Sequence, residues 1–123
     1  MNQWHGIGNV GAKPTLRQTA SGTAVLNFSI AVDRITRVTT PEGVKTQKTP
    51  DWIPIVVFGD SAQHHAQYLQ KGTRIGVTGE LRTRNYTDSQ GNVHHGFEVQ
   101  AGTIDWLNNV NSPSTSSDVE ATL

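Results

Sequence analysis

The chain has 123 residues, no cysteine and a formal net charge of zero, which suits one domain with a real core and excludes disulfides and thiolate chemistry. No apolar run approaches the roughly 20 residues that span a bilayer. Residues 1–12 hold neither Lys nor Arg, so no signal-peptide pattern opens the chain, and a cytoplasmic protein with no membrane partner is expected. The charge is unevenly placed. All ten Lys and Arg lie between Lys13 and Arg84, so the first 84 residues carry +5 and the remainder −5. A basic body with an acidic end suggests a polyanion as partner. Ordinary scatter of charge is the alternative.

Residues 4–10 read as a short strand, with glycines at Gly6 and Gly8 that suggest a bulge or the close approach of another backbone. Gly11–Pro14 is a turn, Leu16–Thr19 a short strand, and Ala20-Ser21-Gly22 a second turn. Val25–Asp33 alternates as a half-buried strand, with Leu26, Phe28, Ile30 and Val32 inward. Arg34–Pro50 is long and polar and reads as a hairpin tip around Pro41-Glu42-Gly43, or as a solvated loop.

Asp51–Gly59, DWIPIVVFG, is the most informative strand. Successive side chains of a strand point to opposite faces. Ile53, Ile55 and Val57 therefore form an aliphatic face, and Trp52, Pro54, Val56 and Phe58 the other. Both sets cannot enter one small core. A helix is predicted over Asp60–Lys71, capped by Asp60 or Ser61, with Ala62, Ala66 and Leu69 as its apolar stripe and Lys71-Gly72 as its stop. Thr73–Tyr86 is a long strand with Ile75, Val77 and Leu81 on one parity and Arg82, Arg84 and Tyr86 on the other. Asp88–Asn92 is a hairpin turn, and Val93–Leu107 returns as a strand with an irregularity near Gly102. The tail, 108–123, is Asn, Ser, Thr and Pro in the main. It lacks the apolar surface to offset chain entropy and is expected to be disordered.

About five strands with one helix between the third and fourth describe an all-β, five-stranded Greek-key OB-fold barrel over 1–107. A small α+β sandwich is the competing architecture. Rings interleaved with cations on strand faces fit single-stranded nucleic acid, because every base has a face to stack and a duplex hides those faces. Burial of the same rings in the core or at a subunit contact is the structural alternative. Catalysis and metal binding find no support. His64-His65 and His94-His95 are adjacent pairs whose side chains diverge, and no HExxH or thiolate set exists. Gly6-x-Gly8-x-x-Gly11 spells GxGxxG, but no strand precedes it and no helix follows. No cofactor is expected.

The residues resemble a known family. Gly8-Asn9-Val10-Gly11, Asn27-Phe28, Trp52, Val56-Val57-Phe58-Gly59, Tyr68-Leu69-Gln70-Lys71-Gly72 and, above all, the run Gly79 to Asp88, GELRTRNYTD, are similar to bacterial single-stranded DNA-binding proteins. The likeness covers about residues 6–107. It implies non-specific single-stranded DNA binding in replication, recombination and repair, nucleoid association, and a homo-oligomer, a tetramer built through the first strand. It implies base stacking by Trp52, Phe58 and Tyr86. The cations expected to follow the phosphates are Arg34, Arg37, Lys48, Lys71, Arg74, Arg82 and Arg84. The chain departs from the family's pattern in four places. No aromatic lies between Phe28 and Trp52, Tyr86 stands where a tryptophan is frequent, Asp60 stands where a cation is common, and the tail tip has two acids and no aromatic. A phage, plasmid or mobile-element paralogue is compatible with these departures. They also keep open a second reading, a protein-interaction OB module such as a replication-restart scaffold, with DNA binding secondary. Recruitment of replication or repair proteins would rest on that atypical tail.

Overall fold

Period-two burial organises the molecule. In the computed structural model, which describes residues 1–107, the chain forms β1 (Trp4–Val10), β2 (Thr15–Gln18), β3 (Ala24–Thr40), β4 (Gly43–Phe58), α1 (Asp60–Tyr68), β5 (Arg74–Thr87) and β6 (Val93–Trp106). The tail expected over 108–123 lies outside the described residues. Leu26, Phe28 and Ile30 of β3, Ile55 and Val57 of β4, and Ile75 and Val77 of β5 enter one core, as their alternation predicts. Burying each such side chain contributes about 1.5–3 kcal/mol.

The strands close a ring. The sheet order is β1-β5-β6-β4-β3-β2, and β1 also pairs with β3. Asn9 and Val10 of β1 lie beside Ala31 and Ile30, while β2 lies beside Ala24–Asn27 on the same edge of β3. Thus β1 and β2 are one barrel strand interrupted at residues 11–14. Counted that way there are five strands, with α1 between the third and fourth, which is the OB-fold. The ring shuts through a short parallel pairing, Ile55 and Val56 with Val99 and Gln100.

Three local features differ from the sequence expectation. Arg34–Pro50 is neither loop nor mere tip. It is a continuous antiparallel ladder running to Thr40 and Gly43, joined by a two-residue turn at Pro41-Glu42. Its Thr, Val and Ile residues favour extended backbone. Both of its faces meet solvent, so no apolar alternation marks it. The helix begins at Gly59, not at a side-chain cap: Gly59 has φ 82°, and neither Asp60 nor Ser61 caps it. The chain passes from β4 straight into α1, and only glycine takes that turn without strain. The helix also ends at Tyr68. Leu69 becomes extended and is fully buried, which leaves Lys71 and Gly72 in the following turn.

The irregularity expected near Gly102 is a bulge. Thr78 faces Thr103, but Gly79 faces Ala101, so Gly102 is the extra residue. The bulge reverses parity along β6 and lets Ile104 and Val99 face the same core. Gly8 meets the close backbone approach its type suggested, since a Cβ there would strike the carbonyl of Ala31.

Candidate nucleic-acid interface

The outer face of β4 carries the first two candidate rings. Trp52 is 56% exposed and Phe58 44%, six residues apart or roughly 20 Å along a strand. Trp52 is not adrift. Its ring lies over Gly11, at the interruption between β1 and β2, where a Cβ would stand 3.0 Å from one ring carbon and closer to another. Pro54 sits between the rings on the same parity. Val56 shares that parity and was expected outside, yet it is 3% exposed. It stands where three strands run side by side, between Asn27 of β3 and Gln100 of β6, and its neighbours cover it.

The second group lies on β5. Arg82, Arg84 and Tyr86 face Glu98, Gly96 and His94 across the ladder. Tyr86 is 55% exposed. A groove of about 550 Å³ joins this group to the β4 face, lined among others by Arg17, Asn27, Ser29, Pro54, Arg84 and Glu98. Arg17 was absent from the sequence candidates. Its signal was register: Arg17 pairs with Val25, so it shares the outer parity of Asn27 and Ser29. That parity is visible only once β2 is laid against β3.

The remaining cations divide. Arg37 and Lys48 share parity with Trp52 on the β3–β4 arm, whereas Arg34 has the opposite parity and lies 3.4 Å from Asp51. Lys71 stands in the turn after α1. Arg74 opens β5 and donates to Oδ1 of Asn9 at 3.5 Å. Arg82 pairs with Glu80 at 2.8 Å and Arg84 with Glu98 at 3.6 Å. Among the described residues, Arg37, Lys48 and Lys71 form no ion pair. Exposed pairs of this kind contribute about 0–1 kcal/mol, so a phosphate can displace the carboxylate partner.

His94 and His95 diverge as their adjacency requires, whereas the rings of His64 and His65 meet edge to face with centroids 5.3 Å apart. His94 bonds Asp88 at 2.8 Å, whereas His95 bonds Asn85 at 2.9 Å. His65 and Phe58 line a cavity of about 220 Å³ together with Ser61 and Gly102. The Nδ1 of His65 is buried and unpartnered. Burial, with a smaller contribution from His64, holds its pKa below the usual histidine value.

A closed five-stranded Greek-key barrel with rings and cations on its outer strands defines an OB-fold of the nucleic-acid-binding type. The chain belongs to the Single-strand binding protein family, whose model matches residues 1–107. It is 37% identical over 113 residues to a Staphylococcus aureus single-stranded DNA-binding protein, covering 92% of this chain and 69% of that one. It is 38% identical over 108 residues to single-stranded DNA-binding protein 3 of Clostridium acetobutylicum, covering 87% and 71%. Among solved structures, a Plasmodium falciparum SSB in complex with ssDNA superposes with a TM-score of 0.73 at 27% identity, covering 87% of this chain and 95% of that one.

Proposed function

We propose that this protein binds single-stranded DNA without sequence preference, by stacking bases on Trp52, Phe58 and Tyr86 and by pairing phosphates with cations of the same outer surface. The observation that carries the reading is the exposure of Trp52 and Phe58 on one face of β4. Rings of this size are normally buried for the area they offer, and here the aliphatic face of the same strand fills the core instead. Arg37 and Lys48 extend that face along one arm, and Arg84 borders it across the groove, with Arg82 next on the same parity of β5. Arg17 joins this set. Arg34 sits on the other side of its arm and contributes least.

Coating of single strands during replication, recombination and repair follows from this activity. The relatives named for single-stranded DNA binding and the solved complex with ssDNA support it. Assembly into a homo-oligomer, a tetramer, belongs to the same proposal. Ile7 is exposed on the outer side of β1, and both it and Leu107 stand over Gly76. A further copy laid on this strip would cover both. Trp52→Ala and Phe58→Ala should each weaken oligo-dT binding by about 1–3 kcal/mol while circular dichroism stays unchanged. Wild-type affinity in both variants would assign the rings a structural role and favour a protein-interaction module.

A further inference from the structure

Tyr86 ends the row of cations on β5, and one face of its ring is already taken. The ring stacks on His94, with centroids 4.9 Å apart and planes inclined by 16°. The two residues are register partners in the β5–β6 ladder, so the strand pairing itself builds the stack. His94 is held in turn. Its Nε2 lies 2.8 Å from Oδ2 of Asp88. The other carboxylate oxygen, Oδ1, accepts the backbone N–H groups of Gln90 and Asn92, each at 2.9 Å. One carboxylate therefore fixes both the turn and the imidazole.

We propose that His94 is a positioning residue for single-stranded DNA: it backs the Tyr86 ring, under the orientation Asp88 gives it, so that the opposite face of that ring is presented to a base. This rests on the reading that Tyr86 stacks on DNA. The β5–β6 arm is only two strands wide at this point and has solvent on both sides, so Tyr86 has no core to pack against. Without His94 its ring would sample several rotamers and would have to be ordered when a base arrives. Such ordering subtracts from affinity. With His94 in place the ring is ordered beforehand, and more than half of Tyr86 remains accessible. Arg84 lies two residues back on the same face, placed to meet the phosphate of the stacked nucleotide.

A double-mutant cycle on oligo-dT affinity tests this, with circular dichroism as a check on folding. Tyr86→Ala should weaken binding roughly five- to 150-fold, as loss of one stacked base implies. His94→Ala should weaken it roughly two- to twelve-fold, the worth of an aromatic pair. In the Tyr86→Ala background, His94→Ala should have no further effect. His94→Phe, which restores a ring without the bond to Asp88, should recover most of the loss. An equal loss from His94→Ala in both backgrounds would overturn the proposal, because His94 would then act on its own. Unchanged affinity in His94→Ala, with Tyr86→Ala weakened, would overturn it and leave DNA stacking by Tyr86 intact. If neither substitution weakens binding, the assignment of Tyr86 to the DNA path falls and the positioning role falls with it; Trp52→Ala tests the broader DNA-binding reading separately.

Discussion

At the scale of single residues, the glycine beneath Trp52 matters as much as the ring. Trp52 rests on Gly11, and any side chain there collides with the indole. Gly11→Ala should therefore displace Trp52, shift its emission and weaken oligo-dT binding by up to the roughly 1–3 kcal/mol of one stacked base. Wild-type affinity with an unchanged spectrum would show that the ring does not depend on that seat. His65 makes a second residue-scale prediction. Its folded-state pKa lies below the unfolded value of 6.5, so the unfolded chain takes up a proton first as pH falls. Stability should decline as pH drops below about 6.5 and level off once the folded imidazole also titrates. His65→Leu should flatten this part of the thermal-denaturation profile. An unaltered profile in that variant would locate the acid sensitivity elsewhere. Asp88 acts lower on the scale. The bond from His94, and then that from the Asn92 N–H, depress its pKa, so its contribution holds above the usual carboxylate range and disappears below it.

At the scale of elements, legibility followed burial. β3 and β4 were readable where one face enters the core, from Leu26 to Ile30 and from Ile53 to Val57. They became unreadable from Arg34 to Pro50, where both faces are wet and only β-propensity distinguishes strand from loop. The helix was legible from Ala62, Ala66 and Leu69, but its ends were not: Gly59 takes the positive φ at one end, and burial of Leu69 sets the other. The stacking candidates could be read from parity alone. Arg17 and the opposed side of Arg34 could not, because they depend on register between strands. The β5–β6 arm also carries a prediction. Arg84 borders the groove and pairs with Glu98 at 3.6 Å. Each phosphate neutralised on a single strand contributes about −0.7 to the log–log salt slope. Arg84→Ala should flatten the slope by about that amount and weaken poly-dT and mixed sequences alike, since phosphate contacts carry no base information. An unchanged slope would remove Arg84 from the phosphate path.

At the scale of the whole molecule, closure of the barrel is what frees the β4 face. Leu26, Ile30, Ile55, Val57, Ile75, Val77 and Val99 fill the inside, so Trp52 and Phe58 are left outside with no core to enter. Assembly follows the same logic on the outer side of β1. Ile7 and Leu107 line an outer strip over Gly76 that a second copy would bury. Light scattering at micromolar concentration should give an oligomer, and Ile7→Lys should shift it towards the monomer. A monomeric wild-type chain would contradict that. The central claim, that exposed rings stack on single strands, is tested most directly by tryptophan emission during an oligo-dT titration. Trp4 is half-buried with its ring over Gly6, and Trp106 lies beside His65, so Trp52 should dominate the response. Oligo-dT should quench the emission to saturation, a duplex of matched length should not, and Trp52→Phe should lose most of the quenching. Emission unmoved by oligo-dT, or quenched equally by the duplex, would contradict the account.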